Sequence, residues 1–199
     1  MTIPTRITSG IIKPIETRYK NYRFRSRLEA RWAVFFDETG LLWEYEKEGF
    51  VLPSGKLYLP DFYVPDIGFF EIKPLPDDFS GGMVCPPEDS PESEFFLDEN
   101  YNPIKGGILY GTPGIVEGLE YASACPYVGS VVNDGPYFFC ECHDCGAIGF
   151  AFEGRSSRVN HAADCQTDPY GKNYNTNSHR LAKAVEKARS ARFEHGEQP

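Results

Sequence analysis

No stretch of this chain reaches the roughly 18 consecutive apolar residues that a membrane-spanning helix needs, so no span is read from hydropathy. Residues 1–18 also lack the apolar core of a secretion signal, because Arg6, Lys13, Pro4 and Pro14 interrupt them. The expectation is a cytoplasmic protein that meets no membrane. Positive charge is scarce: Lys and Arg number 20 against 29 Asp and Glu, for a formal net charge of −9. That balance excludes a simple basic nucleic-acid coat. The scarcity is local. Residues 74–103 contain no Lys or Arg at all, yet hold Asp77, Asp78, Glu88, Asp89, Glu92, Glu94, Asp98 and Glu99 among several prolines and glycines. Such composition suits a long acidic loop rather than a regular helix. Residues 1–31 are the reverse, with eight Lys and Arg against only Glu16 and Glu29. At 199 residues the chain is long enough for one domain with a real core and a small appendage.

Two apolar runs, residues 57–64 and 69–72, flank Pro65-Asp66-Ile67-Gly68 and read as a hairpin. Asp61, Glu71 and Lys73 lie inside these otherwise apolar runs. On a strand Glu71 and Lys73 share one face, and Phe70 and Ile72 the other. Placing two carboxylates side by side in a buried setting is costly without a compensating cation or donor. A hard divalent ion would compensate; scattered charge on a surface hairpin is the plain alternative.

Upstream, residues 23–37 read as an amphipathic helix, with Phe24, Leu28, Trp32 and Phe35 at helical spacing. Glu29 adjoins that stripe, and Ser26 three residues before it makes a capping-box pattern. Residues 41–52 form a strand candidate, closed by a turn at Pro53-Ser54-Gly55-Lys56. The order is a glutamate-bearing helix, a strand, a strand with Pro60-Asp61, and a strand with Glu71-Ile72-Lys73. Over residues 20–112 this resembles the PD-(D/E)XK nuclease superfamily, and its phrasing is most similar to small phage and transposon-associated endonucleases.

The resemblance implies an α/β (α+β) restriction-endonuclease-like core: a mixed central sheet flanked by helices. It implies catalytic residues Glu29, Asp61, Glu71 and Lys73. Mg²⁺ or Mn²⁺ would be held by Asp61, Glu71, the Ile72 carbonyl and Glu29, and DNA would be cut to leave 5′-phosphates. Arg23, Arg25, Arg27 and Arg31, interleaved with Tyr22 and Phe24, would follow the phosphate backbone. DNA is thus the expected partner, a homodimer is compatible, and a phage origin would place the protein in host cytoplasm. Residues 74–103 depart from the superfamily's usual helix after the lysine. Gly107-Ile108-Leu109-Tyr110-Gly111 reads as a fourth strand of the same sheet.

The six cysteines, in a reducing setting, point to metal ligands or free thiols rather than disulfides. Cys142-x-x-Cys145-Gly146 is the knuckle spacing of a zinc ribbon, and His161 and Cys165 follow where a second pair belongs. The expected ligand set for a structural Zn²⁺ is Cys142, Cys145, His161 and Cys165. Cys140 and His143 compete for the first half, and unbound thiols remain an alternative. So does an iron–sulfur cluster, for which only Cys85 and Cys125 are left. Arg155 and Arg158 between the ligand pairs could touch phosphate. A last helix is expected over residues 178–193, with Leu181, Ala184, Val185 and Ala188 on one side. Glu194-His195 beyond it reads as a frayed helix end.

The chain therefore divides into a nuclease-like core at 1–115 with its acidic loop 74–103, a zinc-ribbon-like element at 125–170, and a C-terminal helix at 176–199 packing on the core. Two other functions fit the same residues: a catalytically silent DNA-binding or inhibitory protein, and a zinc-ribbon interaction module.

Overall fold

The computed structural model describes residues 15–75, 86–87, 89–96, 106–114, 128–129, 137–152, 161–166, 174–175 and 178–193. Arg6, Lys13, Cys85, Cys125, Arg155, Arg158, Glu194, His195 and most of the acidic run lie outside the described residues.

Strands β1 (Thr17–Tyr19) and β2 (Tyr22–Phe24) pair antiparallel and lead into helix α1 (Arg27–Thr39). The helix expected from residue 23 thus starts four residues later. Ser26, extended at φ −143°, caps it by accepting from the Glu29 amide, which leaves Phe24 on a strand. Trp32, Phe35 and Phe36 of α1 are fully buried. At about 1.5–3 kcal/mol for each large apolar side chain, burial rather than intrinsic propensity holds this helix in place.

Strands β3 (Glu44–Tyr45), β4 (Phe50–Val51), β5 (Leu57–Tyr58), β6 (Phe62–Val64) and β7 (Gly68–Lys73) follow. Residues 41–52, expected as one strand, are divided. Glu46 turns the backbone through φ 47°, so β3 pairs with β6 while β4 pairs with β5 in a separate ribbon. The expected hairpin of β6 and β7 is present, with Phe62 opposite Phe70 and Val64 opposite Gly68, so Gly68, expected in the loop, already belongs to the strand.

Helix α2 (Pro91–Phe96) comes next, inside the run expected as loop. Ser90 accepts from the Ser93 amide at 3.1 Å and Pro91 fills the first helical position, a start signal that the acidic composition obscures. Strand β8 (Gly106–Tyr110) then pairs parallel with β7, an arrangement that requires a crossover of this length. Gly106 is needed where β8 enters: its φ is 108°, and a Cβ there would lie 1.8 Å from the Phe69 carbonyl oxygen.

Strands β9 (Val128–Gly129), β10 (Tyr137–Cys142), β11 (Ile148–Phe152) and β12 (Tyr174–Asn175) precede helix α3 (His179–Ser190). The central sheet has the order β11-β10-β9-β8-β7-β6-β3, with β12 also on β10. The cysteine-bearing hairpin of β10 and β11 is thus continuous with the sheet that carries the carboxylates. The architecture is mixed α+β, with two small ribbons beside the main sheet.

Alternation in the strands sorts the core. Phe70, Ile72 and Leu109 join Phe24, Phe62, Phe139, Phe150 and the apolar sides of α1 and α3. Ile108 and Tyr110 face the other way, into a cluster with Leu52, Tyr58, Phe95 and Phe96, against which Phe69 packs. The second face is the one that Glu71 and Lys73 share with Phe69 by strand period.

Candidate functional site

Asp61 and Glu71 are both buried, at 6% and 9% exposure. Asp61 lies in the bend before β6, and its Oδ2 accepts from the Ile72 amide at 2.7 Å, which ties it to the middle of β7. Burial and then the Glu71 charge push its carboxyl up to about 8, against the relief given by the Ile72 amide. Glu71 is raised by burial as well, although Lys73 and the Tyr58 hydroxyl pull it back. The Tyr58 hydroxyl donates to Glu71 Oε2 at 2.9 Å, and Lys73 Nζ lies 2.9 Å from Glu71 Oε1.

Lys73 has a second partner that sequence reasoning did not assign, Glu92 of α2, at 2.6 Å. Burial opposes the ammonium charge, but the Glu92 and Glu71 carboxylates outweigh it and hold the Lys73 pKa above its ordinary value. Tyr58 and Glu92 were legible only as members of an apolar run and an acidic run. The pairing of Glu92 with Lys73 depends on the crossover that lays α2 against β8, and that of Tyr58 with Glu71 on the placing of β5.

Glu29 is buried too, with both oxygens engaged. Oε1 accepts from Ser26 Oγ at 2.5 Å; Oε2 accepts from the Tyr45 hydroxyl at 2.6 Å and the Arg25 amide at 3.1 Å. Ser26 and Glu29 act together at the helix start, with Glu29 reaching back to the Arg25 amide, and the Glu29 charge still contributes to raising the Asp61 pKa. The donor chemistry of Asp61 and Glu71 fits a hard divalent ion. Glu29, as placed, belongs to the cap, and the three carboxylates do not converge on one point.

The four arginines expected to act together are separated. Arg23 pairs with Glu16, and Arg25 with Glu46, close enough to the carboxylates to lower the Asp61 pKa. Arg27 and Arg31 instead line a cleft with Arg189 and Arg192 beside the end of α3. Helical spacing puts residues 27 and 29 on opposite sides of α1, so this cleft is turned away from the Glu29 carboxylate.

The cysteine cluster assembles as the spacing predicts. Ligand atoms of Cys142, Cys145, His161 and Cys165 all lie within 4.8 Å of one another, the one such group of three or more among the described residues. Cys142 and Cys165 Sγ are 3.8 Å apart, and His161 Nδ1 is 3.4 Å from both Cys145 Sγ and Cys165 Sγ. A tetrahedron around an ion with metal–sulfur bonds of ~2.3 Å and metal–nitrogen bonds of ~2.05 Å has edges of about 3.8 and 3.6 Å. The three separations lie close to those edges, and the group could hold a metal such as zinc.

The local fold explains the site. The Gly146 amide donates to the Cys142 carbonyl and the Cys142 amide to the Ala147 carbonyl, both at 2.9 Å, while Gly146 takes φ 68°. Cys140 is outside the ligand group: its Sγ is directed to the Gly149 carbonyl at 3.8 Å, and burial pushes its thiol up to about 12. His143 is exposed and also outside it. Arg180 of α3 binds the knuckle through the Gly146 carbonyl at 3.0 Å and reaches the Thr39 carbonyl at the end of α1.

Among the described residues no helix is long and apolar enough to cross a membrane. No protein-family model, no curated protein and no solved structure matches this chain.

Proposed function

We propose that this protein is a metal-dependent DNA nuclease of the PD-(D/E)XK type, on a restriction-endonuclease-like core. The observation that carries the reading is the buried pair of Asp61 and Glu71, braced by the Ile72 amide and the Tyr58 hydroxyl, with Lys73 alongside. Buried carboxylates whose pKa values are raised by burial, one of them also by its neighbour's charge, are a recurrent mark of functional sites. The glutamate-bearing helix, the antiparallel hairpin and the parallel fourth strand are compatible with that core.

Asp61 and Glu71 would hold Mg²⁺ or Mn²⁺. When bound, such an ion supplies Lewis-acid stabilisation of charge at a phosphate and makes water a stronger nucleophile. The Ile72 amide fixes Asp61, and Tyr58 fixes the Glu71 rotamer. Lys73, kept charged by its two carboxylate partners, contributes positive charge to the attacked phosphate and orients water rather than removing its proton. Arg25, whose side chain is largely exposed beside Asp61, is the arginine best situated to meet backbone phosphate near the carboxylates.

Supercoiled, linear and single-stranded DNA incubated with Mg²⁺, Mn²⁺ or EDTA test the reading. Cleavage with either ion and none in EDTA is expected, and Asp61→Ala and Lys73→Ala should each abolish it. Wild-type rates in both variants would overturn the assignment.

The Cys142, Cys145, His161 and Cys165 group is proposed to hold a structural Zn²⁺, since four protein ligands leave no open position for water. Elemental analysis of purified protein should find about one zinc per chain; its absence, or iron in its place, would overturn this.

A further inference from the structure

We propose that the cleft between α1 and the end of α3 is a binding site for a phosphate group carrying two or more negative charges, as a monoester or a diphosphate. The cleft encloses about 430 Å³ and is lined by Arg27, Arg31, Arg189 and Arg192, with Phe193 in its wall and no acidic side chain among the described residues that line it. Those arginines come from two helical regions more than 150 positions apart in the chain, so the fold brings them together. Gathering guanidinium groups around one concavity makes the local potential positive and favours an anion there.

Two details favour a ligand over incidental surface charge. Arg31 Nε is a buried donor with no acceptor among the described residues, an arrangement that costs free energy as it stands. Arg27 opens α1, where the helix dipole disfavours a cation and favours an anion beside it. Guanidinium forks match phosphate oxygens in pairs, and several arginines exceed what a single carboxylate needs. The volume exceeds that of one phosphate and falls in the range of small-ligand pockets, about 300–1,000 Å³. The Phe193 ring can accommodate the organic part. The shared chemistry is a terminal phosphate, carried by a free nucleotide or by a nucleic-acid end. The cleft does not depend on the carboxylate pair, so this inference stands apart from the nuclease reading.

The test is calorimetric titration of the full chain at constant ionic strength, set with NaCl. The probes are pyrophosphate, a nucleoside 5′-diphosphate, and one oligonucleotide with either a 5′-phosphate or a 5′-hydroxyl. Saturable binding of pyrophosphate and the nucleotide is expected. Arg192→Gln, at an exposed position past the helix, should weaken it about tenfold, as loss of one charge-assisted contact does. Arg31→Lys, which keeps the charge but loses the fork, should weaken it as well. Preference for the 5′-phosphorylated strand over the hydroxyl strand supports the site with a nucleic-acid end as the source. Equal affinity for the two strands, with the small probes bound, supports it with a free nucleotide as the source. No saturable binding of any probe, or undiminished binding by folded Arg192→Gln and Arg31→Lys, would overturn it.

Discussion

Asp61 shows how one side chain can be unfavourable for the bare fold and still be retained by a site. Its pKa is raised to about 8 from an ordinary value near 3.8. A carboxyl raised in the folded state contributes stability below its unfolded pKa, and that stability is lost as pH climbs through the folded value. In EDTA the protein should therefore melt at progressively lower temperature as pH rises from about 4 to about 8. Asp61→Asn keeps an acceptor for the Ile72 amide and removes the charge. Its melting temperature in EDTA should exceed that of wild type at pH 8, by a margin that shrinks towards pH 5. Added Mg²⁺ should raise the wild-type midpoint at pH 8 and leave the variant unmoved. Differential scanning fluorimetry reads all of these, and a variant no more stable than wild type at pH 8 would contradict the buried-charge account. At the same scale Tyr58→Phe removes the donor to Glu71, and under the nuclease reading kcat should fall several-fold while the fold persists. Unchanged kcat would leave Tyr58 as packing only.

Among the elements, α2 is the one whose role changes most between sequence and structure. It packs Phe95 and Phe96 against Tyr58 and Ile108, and that packing delivers Glu92 to Lys73. A carboxylate there occupies the cation that the nuclease reading assigns to a DNA phosphate. Glu92→Gln should therefore lower the DNA concentration needed for half-maximal cleavage, measured from initial rates across a substrate series. A weaker apparent affinity instead would show that Glu92 supports Lys73 rather than competing with substrate.

For the whole molecule, the consequence lies in the continuity of the sheet. Phe139 of β10 and Phe150 of β11 are fully buried in the main core, and Arg180 joins the knuckle to the end of α1. The cysteine cluster and the carboxylate pair thus lie on one continuous sheet and share one core, although under the proposed reading they would bind different ions. Cys145→Ser should lower the melting temperature of the entire chain rather than loosen residues 137–165 alone. A loss of ~3 kcal/mol, of the order expected when a metal ligand is removed, corresponds to a shift of ~10 °C in a chain of this size. Amide exchange should quicken in α1 as well as in β10 and β11. Protection unchanged in α1 would show that the hairpin opens on its own.

What could be read from the chain alone was what depends on neighbours in sequence. The Ser26 and Glu29 cap, the stripes of α1 and α3, the hairpin around Pro65 to Gly68 and the Cys142-x-x-Cys145 knuckle are set by periodicity and turn chemistry within a few residues. The His161 and Cys165 pair was legible because metal ligands repeat at characteristic spacings. Tertiary structure decided the rest. It separated Arg27 and Arg31 from Arg23 and Arg25, set Glu92 against Lys73, engaged Glu29 Oε2 with the Tyr45 hydroxyl, and joined the cysteine hairpin to the carboxylate-bearing sheet. Each of these outcomes depends on which distant surfaces bury one another. Burial rewards total apolar area and shape without regard to position in the chain, so local pattern carries little record of it.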